Sequence, residues 1–110
     1  MERSGLPQSN SDIDELLRTA ISQRRLIRLK YHGKERIVEP HDYGIHKGSA
    51  KLLAYQVGGS SSGPLPNWRW FEIALISDLS LLDQTFPGGR PPESGNHHNW
   101  EKLFIRVKPR

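Results

Sequence analysis

The chain has 110 residues, a formal net charge of +4 and no cysteine. That length fits one domain whose core can stand without covalent staples. Without cysteine, disulfides, a thiol nucleophile and thiolate metal ligands are excluded, and a reducing compartment is favoured.

Residues 1–10 read as a disordered, polar leader with no apolar segment of a signal peptide. Ser11 then starts a helix, paired with Asp14 in a capping-box-like arrangement. Ile13, Leu16, Leu17, Ala20 and Ile21 give this helix one apolar face. After Arg25 the period falls to two. Ile27, Leu29 and Tyr31 alternate with Arg28, Lys30 and His32, so one face is buried and the other basic. His32-Gly33-Lys34 is a turn, and Glu35 to Glu39 is the returning strand, ended by Pro40. Asp42 to Ser49 reads as a loop or short bent strand, and Lys51 to Val57 as an apolar strand.

Gly58 to Asn67 is a Gly/Ser/Pro loop. Trp68 to Ile76 is the strongest strand, with Phe71, Ile73 and Leu75 on one face and Trp68, Trp70 and Glu72 on the other. Asp78 to Leu82 is a short strand, and Phe86 plugs one end of the core. Residues 87–99 form a loop. Residues 100–110 add a C-terminal strand in which Leu103, Ile105 and Val107 alternate with Lys102, Phe104 and Arg106. One helix followed by closely spaced strands makes the chain mainly β (α+β), with a small bent antiparallel barrel over 11–86. Ile13, Leu17, Ile21, Leu29, Leu53, Phe71, Ile73 and Ile76 are its expected core.

Basic residues dominate the stretch from Leu17 to Lys51, a source of positive potential that attracts phosphates. Arg69 alternates with Phe71. A guanidinium on a core face must reach the barrel mouth or pair with Glu39 or Asp42. At the mouth it is suited to bidentate phosphate contact. Arg28 and Lys30, with Arg36 on the partner strand, could form a basic row that tracks a nucleic-acid backbone; solvated surface charge is the plainer reading. Tyr31, Tyr43, Trp68 and Trp70 are flat enough to stack bases, although core or interface packing is the plainer reading for each one singly. His41 and His46 flank Tyr43-Gly44, and His97-His98 lie in the second loop. These spacings match no metal motif, so neither a metal nor another cofactor is expected. There is no nucleophile elbow and no phosphate-binding loop followed by Lys, so the chain is not expected to be an enzyme. No apolar run approaches the ~20 residues of a membrane span, so no membrane partner is expected and the location should be cytoplasmic.

Leu17 to Phe86 resembles a WYL domain, the bacterial domain named for a Trp-Tyr-Leu tripeptide. The matching elements come in order: Leu26-Ile27-Arg28-Leu29-Lys30-Tyr31, then Arg36-Ile37-Val38-Glu39-Pro40, then Leu52-Leu53-Ala54-Tyr55, then Arg69-Trp70-Phe71 and Leu79 to Leu82. Ala50-Lys51-Leu52 stands where the family has its tripeptide, and Leu75 where it often has a basic residue. The resemblance implies an Sm-like, SH3-like barrel with an N-terminal helix. It also implies a regulatory, ligand-sensing role in transcription control or phage defence, with nucleic acids or nucleotides as ligands and no catalysis.

The expectation is therefore a regulatory binding domain for an anionic ligand, single-stranded nucleic acid or a nucleotide. Tyr31, Arg36, Lys51 and Arg69 are the expected contacts, the three cations meeting at one rim. Arg28, Lys30, His46 and Lys47 are possible further contacts to nucleic acid. The alternative is a non-catalytic interaction or oligomerisation module with a decayed groove. Its Trp68/Trp70 face would then self-associate or dock on a larger regulator.

Overall fold

The computed structural model describes residues 8–61, 63–90 and 100–110. Most of the expected leader, and the loop segment that carries His97 and His98, lie outside them.

Helix α1 (Asn10–Gln23) is capped by Ser9, whose extended backbone lets Oγ accept from the Asp12 N–H at 3.1 Å. The cap thus falls two residues before Ser11. Gln8 also belongs to the folded unit: its side-chain amide exchanges two hydrogen bonds, 2.8 and 2.9 Å, with the backbone of Leu79. Arg24, in the left-handed region, ends the helix. Ile13, Leu17, Ala20 and Ile21 are buried.

The strands are β1 (Arg25–Tyr31), β2 (Lys34–His46), β3 (Ser49–Gly59), β4 (Asn67–Glu72), β5 (Ile76–Thr85) and β6 (Lys102–Arg106). All their pairings are antiparallel, in the order β4-β3-β2-β1-β5, with β6 on β2. Among the described residues the fold is mostly β, with 58% of them in strands or bridges and one N-terminal helix. Every expected core residue is buried, and fully burying a Leu, Ile or Phe contributes roughly 1.5–3 kcal/mol. Among the described residues no helix is long and apolar enough to cross a membrane.

Three local expectations are corrected. Pro40 does not end its strand. β2 runs through it for 13 residues, and a register shift against β3 between Pro40 and Asp42 accommodates the residue with no N–H. Beyond that bulge, the edge of β2 that β1 occupied is taken over by β6. Secondly, Trp68 to Ile76 is not one strand. A 3-10 turn, Ile73–Leu75, breaks the period of two, and Leu75 is 52% exposed. Thirdly, Leu103 is an exposed residue of β6, whereas Phe104 packs against the core.

β4 and β5 are at opposite ends of the pairing order, yet only those three residues join them. The sheet is therefore strongly curled, but among the described residues no pairing closes it into a barrel. Tyr31 of β1 reaches β4, where its hydroxyl accepts from the Glu72 N–H at 2.9 Å.

A polar network ties the C-terminal residues to β2. Arg106 meets the fully buried Asp42 with two hydrogen bonds, 3.1 and 3.2 Å. Arg90 does the same to Glu39, at 2.6 and 3.1 Å, and lies 4.3 Å over the Tyr55 ring. His41 accepts at Nε2 from the Arg90 N–H and donates from Nδ1 to the Glu39 carbonyl. Those two partners fix a neutral imidazole, and burial pushes its pKa below the usual histidine range.

Candidate functional site

Residues paired across a ladder share a face of the sheet. The two-residue turn at His32-Gly33 aligns Tyr31 with Lys34, hence Leu29 with Arg36 and Ile27 with Val38. Leu29 and Val38 are fully buried, so Arg36 and Tyr31 belong to the core face. Arg28 and Lys30 lie on the other face with Glu35 and Ile37, and Arg36 is not part of their basic row. On the next strands, Gln56 pairs with Val38, Ala54 with Arg69 and Leu52 with Phe71. Gln56 and Arg69 therefore share the core face too, on adjacent strands.

These residues form a polar patch at one end of that face. Arg36 Nη1 donates to Gln56 Oε1 at 3.5 Å, and its guanidinium sits 5.8 Å from the centre of the Tyr31 ring. Arg36 Nε is buried and has no hydrogen-bond partner. Gln56, itself fully buried, donates to the carbonyls of Gly58 and Ser60, which fixes the start of the Gly/Ser/Pro loop. Arg69 Nη2 donates to Ser61 Oγ in the same loop. Gly59 turns the chain there with φ +82°, and a Cβ on it would overlap the Glu35 carbonyl oxygen.

Five described arginines are half-buried: Arg25, Arg36, Arg69, Arg90 and Arg106. Three of them reach carboxylates, on Asp83, Glu39 and Asp42. The other two, Arg36 and Arg69, meet only the neutral Gln56 and Ser61. Among the described residues, no carboxylate is within ion-pair reach of either. The two acids once expected as partners of Arg69 are held instead by Arg90 and Arg106. A partly desolvated guanidinium without a counter-charge is electrostatically incomplete.

The outward cations are in a different state. Arg28 pairs with Glu35 at 2.7 Å and Lys30 with Asp78 at 3.5 Å. Exposed pairs of this kind are worth about 0–1 kcal/mol each. Each carboxylate nevertheless offsets the charge that its cation offers to a phosphate.

Lys51 does not join Arg36 and Arg69. It lies on the opposite face of β3 from Leu52 and Ala54. Its Nζ donates to the His46 carbonyl and to Ser49 Oγ, both at 2.7 Å, and stands 3.8 Å from Glu72. Two of its three ammonium donors thereby clamp the β2–β3 turn, and the charge is shared with Glu72 of β4. His46, Lys47, Lys51 and Trp70 line a shallow cleft of about 340 Å³ on this face. The His46 ring is stacked on Trp70 at 4.7 Å, and Trp100 closes on both rings at 5.6 and 5.5 Å. Trp68 is half-buried, edge-on to His41 and Tyr55. Trp70 remains 37% exposed.

Sequence reasoning missed Gln56 and Ser61. The signal for Gln56 is its position: it continues the core-facing series Leu52, Ala54 as a polar residue, and a buried amide must be bonded. Nothing in the loop's composition distinguishes Ser61 from its neighbours.

Comparison of the chain with protein-family models, curated proteins and solved structures gives no match.

Proposed function

We propose that this chain is a regulatory, non-catalytic binding domain for an anionic ligand, a nucleotide or single-stranded nucleic acid, with Arg36 and Arg69 as the anion contacts. One observation carries the reading: among the described residues, these are the two half-buried arginines whose partners are neutral. A phosphate bound there would supply the missing counter-charge through charge-assisted hydrogen bonds. Tyr31, against the Arg36 guanidinium, offers a ring beside that anion.

The likeness to WYL domains, with their Sm-like barrel, is part of the same proposal. In its support, a single N-terminal helix precedes six antiparallel strands, five of them in one pairing order, and a three-residue turn links the two end strands of that order. A cytoplasmic role in bacterial transcription control or phage defence follows from that likeness.

The test is fluorescence anisotropy with nucleotides and short labelled single strands over a range of salt. Binding must weaken as salt rises and must be lost in Arg69→Ala. The exposure of Trp70 and Leu103, 37% each, favours a second reading, docking on another protein or on a second copy. Salt-insensitive self-association in sedimentation, with no response to any anion, would select that reading instead.

A further inference from the structure

We infer that Arg36 and Arg69 take a terminal phosphate dianion, so that the domain recognises a phosphomonoester, on a mononucleotide or at the end of a strand, in preference to internal backbone. This rests on the anion-binding reading above and specifies its ligand.

Charge balance comes first. Two guanidiniums share the core face with no carboxylate in reach among the described residues. An internal phosphodiester would neutralise one of them. A phosphomonoester carries about −1.5 to −2 at pH 7 and presents three terminal oxygens, matching both.

Donor count agrees. Each guanidinium has five N–H donors in a fixed fork. Arg36 commits one to Gln56 and Arg69 one to Ser61. Arg36 Nε is buried and unpaired, so its N–H lacks an acceptor. An oxygen-rich group with free corners suits such a set better than a diester, whose two bridging oxygens are esterified.

Placement excludes the other mode. Tracking a strand requires a row of free cations along an exposed face. Here the exposed cations of β1 are matched by Glu35 and Asp78. Lys51 is on the opposite face of β3, bonded to the His46 carbonyl and Ser49 Oγ and paired with Glu72. Arg36 and Arg69 instead sit at one end of the core face, tied through Gln56 and Ser61 to the Gly/Ser/Pro loop.

The experiment compares one single strand of about ten nucleotides, labelled internally, with a 5′-phosphate, a 3′-phosphate or hydroxyls at both ends. Adenosine 5′-monophosphate and adenosine serve as competitors. The wild-type chain should bind one of the phosphorylated strands at least about tenfold more tightly than the hydroxyl strand. The monophosphate should compete and adenosine should not. The salt slope should stay the same when the strand is doubled in length. Arg36→Met and Arg69→Met should each abolish the preference, and Arg28→Met should leave it intact. Equal binding of all three strands, with a salt slope that grows with length, would overturn this inference and leave the anion-binding reading standing. Failure of every probe to bind would overturn both.

Discussion

Arg36 donates to the neutral amide of Gln56 at 3.5 Å, while Arg106, whose strand pairs with the same β2, grips both oxygens of the Asp42 carboxylate at 3.1 and 3.2 Å. The two half-buried arginines therefore answer mutation in opposite ways. Arg36→Met removes a partly desolvated charge that has no counter-ion. Its thermal midpoint should be unchanged or higher, by up to about 1 kcal/mol in stability, while anion binding falls by about 1.5–3 kcal/mol. Arg69→Met should behave likewise. Melting and binding measured on the same preparations check the pair of expectations together.

Arg106→Met leaves Asp42 buried without its guanidinium. Losing one charged partner of a buried carboxylate should cost about 1–3 kcal/mol. Urea titration should show that loss, and hydrogen exchange should show β6 opening first, because β2 is its sole pairing partner among the described residues. A double change, Asp42→Leu with Arg106→Met, should recover much of the lost stability.

Much of the fold can be read in the sequence, because alternation and helical spacing report burial directly. Leu17 and Ile21 on α1, and Phe71 and Ile73 beyond it, lie where their spacing puts them. The misread places involve backbone irregularity, which side-chain pattern does not encode. The bulge after Pro40 let β2 continue and bring in β6. The 3-10 turn at Ile73 exposed Leu75. For the site, the face of Arg36 was within reach: counting back from a two-residue turn pairs it with Leu29. Lys51 was not, because its commitment to the His46 carbonyl depends on how the β2–β3 turn folds back. Arg90 was hidden in a Gly/Pro-rich stretch whose composition gives no sign that its guanidinium returns to Glu39.

Stability should fall on acidification, with His41 as one cause. Its folded-state pKa lies below the ordinary 6.5 because burial disfavours the imidazolium. The unfolded chain then binds the proton more readily, so stability is full above about pH 6.5 and declines as pH drops through it. Protonated Nε2 would also face the Arg90 N–H as donor against donor. Urea midpoints from about pH 8 down to pH 5.5 should trace this decline, and His41→Gln should shrink the slope while lowering stability at every pH.

Gly44→Ala should detach β6 selectively. A Cβ at residue 44 would overlap the Lys102 carbonyl oxygen and come within 2.9 Å of the Leu103 Cα. Backbone on the other side cannot yield as a flexible side chain would, so a loss of about 1–3 kcal/mol is expected. Amide protection should drop at Lys102 to Arg106 and persist in β1, β3 and β4.

Anion binding at Arg36 and Arg69 is read most directly from the arginine side chains themselves. In a ¹H–¹⁵N NMR titration with adenosine 5′-monophosphate, the Nε–H signals of Arg36 and Arg69 should shift together and saturate, while those of the carboxylate-paired Arg28 and Arg106 stay in place. Shifts spread evenly over the arginines, or no shift at Arg36 and Arg69 at millimolar nucleotide, would contradict the account.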